Sequence, residues 1–149
     1  MIKVLFVCHG NICRSTMAEA MFKHMISLRG LENEFYIDSA ATSREEIGNT
    51  MYPPAVRKLR EKGVPTGNHR ARQITLKDYD EFDYIIGMDR YNISNMLRYY
   101  NNDPDHKIHK MMEFAGSDRD VADPWYTGDF EATYQDLKVS LAGFLETIL

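Results

Sequence analysis

Residues 8–15 read CHGNICRS and directly follow the apolar run IKVLFV at residues 2–7. That run is short, continuous and rich in β-branched and aromatic side chains, the pattern of a strand buried on both faces. From Ser15 the period changes. Met17, Met21, Met25 and Leu28 recur at helical spacing with Ala18 and Phe22 beside them, and Gly30 stands where such a helix would end. The octapeptide is therefore a loop that leads from a buried strand into a helix N-terminus. A strand that enters a helix in this way belongs to a parallel sheet.

The rest of the chain agrees. EFYIDSA (residues 34–40) and YIIGM (84–88) read as further strands, and HKIHKMM (106–112) as a weaker fourth. PPAVRKLREKG (53–63) opens on prolines and closes on glycine, the asymmetry of a helix. TLKDYDEF (75–82) and DRYNISNMLRYY (89–100) read as helices. Near the C-terminus Phe130, Tyr134, Leu137, Leu141, Phe144 and Ile148 share one helical face. The expectation is an α/β fold: one three-layer domain over residues 1–149, with a four-stranded parallel sheet covered on both faces by helices. Ligands bind such sheets beyond the carboxyl ends of the strands, where CHGNICRS lies.

Composition narrows the function. A chain of 149 residues builds one sizeable core. Its net charge of −4 gives no electrostatic reason to expect nucleic acid or an anionic membrane as partner. No stretch approaches the ~20 apolar residues of a membrane span. Both cysteines, Cys8 and Cys13, sit in one short loop, which is no secreted disulfide framework; a reducing, cytoplasmic setting is expected. No second pair of cysteines or histidines has ligand spacing, so neither a metal nor another cofactor is expected.

A strand–loop–helix junction of this kind is a natural anion seat. Backbone N–H groups of His9, Gly10, Asn11, Ile12, Cys13 and Arg14 can curl round phosphate oxygens while the helix dipole adds positive potential. Gly10 allows a conformation or a close approach that a Cβ would obstruct. Arg14 offers a planar fork for two oxygens at once. A cysteine at the mouth of the seat feels the same field, which favours the thiolate of Cys8. Ser15 can donate a hydrogen bond to it. No Gly-Lys-[Ser/Thr] follows Gly10, so this is not a Walker loop. Cys13 either fills the underside of the loop or is a redox partner of Cys8, and His9 faces either solvent or substrate.

Five separated stretches carry a family resemblance in the right order: VCHGNICRSTMAEAMF (7–22), DSAATSREEIGN (38–49), HRARQIT (69–75), FDYIIGMD (82–89) and DPWY (123–126). The chain resembles the low-molecular-weight protein tyrosine phosphatases nearly end to end. The resemblance implies hydrolysis of phosphotyrosine in proteins, and of small aryl phosphates, through a phosphocysteine. Cys8 would be the nucleophile and Arg14 the clamp on the equatorial oxygens, with Asp123 as general acid and base. Inorganic phosphate would be product and inhibitor. It also implies that Asn11, Ser15, Ser39 and His69 brace the loop. Ile12, Trp125 and Tyr126 would line the cleft, with Glu45 standing where the family often has an aromatic residue.

Three rival readings share part of this pattern. Arsenate reductases of this fold relay a disulfide through further cysteines, and none follows Cys13. Protein-arginine phosphatases resemble the family closely but carry threonine where this loop has Ile12. A phosphate-binding module or cysteine phosphocarrier would lack the acid that Asp123 supplies.

Overall fold

Strand β1 (Ile2–Cys8) is central in the sheet, between β2 (Phe35–Ala41) and β3 (Tyr84–Gly87), with β4 (Ile108–Lys110) outside β3. All three pairings are parallel. The computed structural model describes residues 1–149. Helices α1 (Arg14–Leu28), α2 (Pro53–Glu61), α3 (Leu76–Glu81), α4 (Arg90–Tyr99), α5 (Pro124–Thr127) and α6 (Phe130–Ile148) complete the expected α/β order.

Alternation along β1 separates the two faces. Val4, Phe6 and Cys8 enter the larger core with Met17, Met21 and Phe22 of α1, Ala55 and Leu59 of α2, and Leu137, Leu141 and Phe144 of α6. Leu5 and Val7 enter the smaller one with Tyr79 of α3 and Met96 of α4. The chain leaves β1 toward β2 on one side of the sheet and later returns to β3 on the other. The carboxyl end of β1 is thus a switch point, where an open α/β sheet forms its crevice.

The helix ends follow the local sequence. Gly30, at φ 67°, closes α1 with Gly30 N–H donating to Ser27 O and Leu31 N–H to Ile26 O, the paired bonds of a Schellman motif. Gly63 closes α2 in the same way through Arg60 O and Leu59 O. Thr75 and Asp89 cap α3 and α4 with reciprocal side-chain bonds to Asp78 and Asn92.

Three expectations change. Leu28 is 74% exposed, while Ile26 in the same turn of α1 is buried in the larger core. The fourth strand is only Ile108–Lys110, and Met111–Ala115 turn into a 3₁₀ helix. Met111 and Met112 both enter the larger core, on one side of the sheet, and consecutive residues of a strand would face opposite sides, so the turn is what brings both there. Gly10 is not the left-handed residue of the loop. Its φ is not positive, and a Cβ there would meet only ordinary contacts, the nearest at 3.4 Å from Glu46 Cγ. Asn11, at φ 62°, takes that conformation instead.

Candidate active site

Asn11 organises the loop between β1 and α1. It is fully buried, and its amide orientation is fixed by the Arg72 backbone N–H, which can only donate and does so to Oδ1 at 3.3 Å. His69 Nε2 meets the same oxygen at 2.7 Å and must therefore be a donor. The Asn11 Nδ2 group donates to Ser15 Oγ at 2.7 Å and to Ser39 Oγ at 3.0 Å. Ser15 Oγ already accepts from Asn11, so its own hydrogen is free for Cys8 Sγ, 3.0 Å away. Asn11 N–H also donates to Cys8 Sγ, at 3.3 Å. Two hydrogen bonds thus converge on the sulfur and fix its position at the floor of the loop.

The left-handed conformation of Asn11 costs an L-residue roughly 1–2 kcal/mol, less for asparagine than for most. Four side-chain hydrogen bonds at full burial offset it. The N–H groups of Gly10, Ile12 and Cys13 donate to no acceptor in the protein. They belong to the loop that lines a cavity of about 120 Å³.

Arg14, first residue of α1, has a side chain only 3% exposed. Its Nη1 donates to Val121 O at 2.9 Å and pairs with Asp89 Oδ2 at 2.9 Å, and its Nη2 meets Asp123 Oδ2 at 3.3 Å. Burial works against the guanidinium charge, but Cys8, Asp123 and Asp89 outweigh it and hold the group above its ordinary range. Asp89 Oδ1 meanwhile accepts from Asn92 N–H at the start of α4. One carboxylate therefore ties the guanidinium to a helix end. Asp123 is fixed similarly, with Oδ1 accepting from Trp125 N–H at 3.0 Å and capping α5.

The mouth of the cavity is looser. His9 Nε2 and Glu45 Oε2 meet at 3.0 Å, with both side chains more than half exposed, so His9 lies at the rim against Glu45. Trp125 is half exposed and packs on Tyr52, with ring centroids 4.8 Å apart, and Tyr52 stacks on Phe130 at 6.2 Å. Tyr126 is almost wholly exposed. Ile12 is buried with Cys13 and Ala71 and still reaches the cavity wall.

Nearly all the residues singled out from the sequence meet here. Cys8, His9, Gly10, Ile12, Cys13, Arg14, Glu45, Asp123, Trp125 and Tyr126 line the cavity. Asn11, Ser15, Ser39 and His69 form the layer beneath it. Sequence reasoning missed Asp89 and Tyr52. Asp89 had a usable signal, an acidic residue one position past a buried strand at the ligand-binding end of the sheet. Burial pushes the Cys13 thiol up to about 12, helped by the charges of Cys8 and Asp123 and opposed by Arg14. Cys13 is thus a neutral thiol at physiological pH.

This strand–loop–helix site on a four-stranded parallel sheet sets the Cys8 sulfur beside a buried guanidinium and unpaired backbone N–H groups, the make-up of an anion seat. The family model for low molecular weight phosphotyrosine protein phosphatase matches residues 3–149. The low molecular weight protein-tyrosine-phosphatase of Bacillus subtilis is 40% identical over 150 residues, covering 99% of this chain and 96% of its own. Its crystal structure superposes with a TM-score of 0.96 over 99% of this chain and 94% of that one. The human low molecular weight phosphotyrosine protein phosphatase is 40% identical over 96% of this chain and 93% of its own. A Drosophila arginine phosphatase is 34% identical, with a TM-score of 0.87 over 98% of this chain and 97% of that one. The chain belongs to the low-molecular-weight phosphotyrosine protein phosphatase family.

Proposed function

We propose that the protein hydrolyses phosphotyrosine in proteins, and small aryl phosphates, with Cys8 as nucleophile, Arg14 as phosphate clamp and Asp123 as general acid and base. Cys8 Sγ attacks phosphorus in line; the S–P bond forms and the P–O bond to the phenol breaks. Asp123 gives its proton to the departing phenolate oxygen. It then takes a proton from water, whose oxygen attacks phosphorus, and the S–P bond breaks to release inorganic phosphate and the thiolate. The N–H groups of residues 9–14 and the Arg14 fork hold the three equatorial oxygens through both steps. The observation that carries this reading is the set of two hydrogen bonds aimed at Cys8 Sγ, 3.0 and 3.3 Å long, beside a buried guanidinium that also touches Asp123.

The substrate class follows from the walls. Ile12 and Trp125 give a ring apolar surface, which supports a phenol over a guanidinium as leaving group even though an arginine phosphatase is among the structural relatives. Inorganic phosphate competes as product, and the place of action is the cytoplasm. No helix is long and apolar enough to cross a membrane. Turnover of para-nitrophenyl phosphate, phosphotyrosine, phosphoserine and phosphoarginine peptides tests the reading. Activity confined to the first two and abolished by Cys8→Ser is expected. Phosphoarginine turnover equal to phosphotyrosine, or activity surviving Cys8→Ser, overturns it.

A further inference from the structure

Tyr52 lies behind the active site and touches both of its walls without lining the cavity itself. Its backbone N–H donates to Ile12 O at 2.9 Å, in the loop of residues 8–14. Its ring packs on Trp125, with centroids 4.8 Å apart, and stacks on Phe130 at 6.2 Å. We propose that Tyr52 is a positioning residue for Asp123: its ring holds Trp125 in place, and the Trp125 backbone in turn fixes the Asp123 carboxyl. The role rests on the reading of Asp123 as general acid.

The chain around Asp123 is held unequally on its two sides. Upstream, Val121 N–H donates to Met88 O at 2.9 Å. Asp120 Oδ1 accepts from Arg90 N–H at 3.0 Å and pairs with Lys110 at 2.6 Å. Downstream, α5 is one turn of four residues that ends on Gly128 in the left-handed conformation, and Tyr126 within it is almost wholly exposed. A turn this short has little helical stability of its own. Trp125 lies inside it and Phe130 just beyond it, and the Tyr52 ring packs on both. One side chain thus clasps the corner at Gly128. Trp125 N–H donates to Asp123 Oδ1 at 3.0 Å and leaves Oδ2 to face Arg14 Nη2 at 3.3 Å. A shift of Trp125 therefore moves the donor that aims the acid.

The backbone and the ring of Tyr52 act separately. Pro53 follows and opens α2, and a residue before proline is confined to the extended and polyproline region. Tyr52 sits there, at φ −57° and ψ 132°. That conformation does not depend on the side chain, and neither does the N–H bond to Ile12 O. Replacing the ring releases the wall that carries the acid and leaves the phosphate seat in place. The ring also covers the small apolar cluster of Ile12, Cys13 and Ala71, so the replacement has to stay apolar. Leucine meets that condition.

The experiment measures kcat/KM for aryl phosphates with leaving groups of rising pKa, on the full chain carrying Tyr52→Leu, Tyr52→Phe, Asp123→Ala or Tyr52→Leu with Asp123→Ala. Inhibition by inorganic phosphate reports the seat. Trp125 is the one tryptophan of the chain, so its fluorescence anisotropy reports the acid wall alone. Tyr52→Leu should lower kcat/KM roughly tenfold for the most basic leaving groups and little for the least basic. Phosphate inhibition should hold while the Trp125 anisotropy falls. Tyr52→Phe keeps the ring and should restore both rate and anisotropy. Beside Asp123→Ala, Tyr52→Leu should cost nothing further, because the group it positions is gone. A loss uniform across the series, weakened phosphate inhibition, or a full additional loss in the double variant overturns the proposal. A graded loss in Asp123→Ala with none in Tyr52→Leu overturns the role of Tyr52 alone. A uniform loss in Asp123→Ala overturns the reading of Asp123, and the role of Tyr52 with it.

Discussion

Under the loop of residues 8–14, Asn11 commits both amide hydrogens and its carbonyl oxygen to Ser15, Ser39, His69 and the Arg72 N–H, at full burial. At its mouth, Glu45 has a side chain 68% exposed and Tyr126 is 84% exposed. The two layers lie on opposite sides of one short loop and differ in what a substitution can reach. Below, each polar atom removed leaves a buried partner unpaired, which costs about 1–3 kcal/mol. Above, water replaces whatever is removed. In the proposed mechanism the chemistry stands on the committed layer and the choice of substrate on the open one.

The largest test of that division falls on Asp123, which bridges the layers by touching Arg14 below and capping α5 above. Asp123→Ala should slow turnover by about 10²–10⁴-fold, the usual worth of a positioned general acid. The loss should shrink for aryl phosphates whose leaving groups have low pKa, because they need less protonation. A loss that is constant across a leaving-group series would take Asp123 out of that role.

Next comes the committed layer itself. Asn11→Ala touches no substrate in the proposed mechanism through its side chain, yet it frees Ser15, Ser39 and His69 together. Turnover should fall on the order of 10²-fold through misplacement of the loop. Thermal unfolding should report a loss of several kcal/mol, since four polar groups, those of Ser15, Ser39, His69 and the Arg72 N–H, lose a partner. Equal kcat in the variant, with only the stability lost, would mean that the layer holds the fold and not the sulfur.

The sequence carried much of this, and the parts it did not carry share a cause. The change of period at Ser15, the prolines at 53 and 54 and the glycines at 30 and 63 mark elements through local chemistry, and the structure places them within a residue or two. Leu28 satisfies the helical spacing yet is exposed while Ile26 in the same turn is buried, a choice set by tertiary packing. Asp89 and Tyr52 act through partners 75 and 73 positions away, Arg14 and Trp125, and the first of those meetings exists only once β1 lies beside β3. Glu19, Asp38 and His69, from three separate segments, meet for the same reason. Gly143 is another such case: a Cβ there would come within 2.0 Å of Phe114 O, so α6 packs on the 3₁₀ turn only through a glycine.

Cys13 gives a smaller, graded test at the boundary between the layers. Peroxide should convert the Cys8 thiolate to sulfenic acid, and the Cys13 thiol should condense with it, forming the S–S bond and releasing water. Attack needs the Cys13 thiolate, and burial holds that thiol near 12. Oxidation of Cys8 removes one of the charges that raise it, but burial, the largest cause, remains. Well below that value the thiolate fraction rises tenfold per pH unit. Disulfide capture, followed by mass spectrometry after a peroxide pulse, should therefore rise close to tenfold per unit between about pH 6 and 9. Activity restored by thiols should rise with it, and Cys13→Ser should recover far less. A flat pH profile, or full recovery in Cys13→Ser, would leave Cys13 as packing alone.

The smallest effects belong to the mouth. Glu45 and Glu46 face the cleft where Trp125 and Tyr126 form the other wall, so a substrate's flanking residues meet charge on one side and rings on the other. Glu45 already has His9 at 3.0 Å and Glu46 has Asn49 at 2.6 Å, which leaves each carboxylate only part of its field for a peptide. An exposed pairing of this kind is worth less than ~1 kcal/mol, or less than about fivefold in kcat/KM. Phosphotyrosine peptides with basic flanks should be preferred over acidic ones by that margin. The preference should fade as salt shortens the screening length from about 10 Å at 0.1 M toward 3 Å at 1 M. Glu45→Trp replaces the charge with a second ring opposite Trp125. Stacking of ~0.5–1.5 kcal/mol should then raise kcat/KM for small aryl phosphates several-fold while the flank preference, left to Glu46, shrinks. Acidic flanks favoured by the wild type, or a basic preference that persists at 1 M salt, would show that the open wall selects by shape and not by charge.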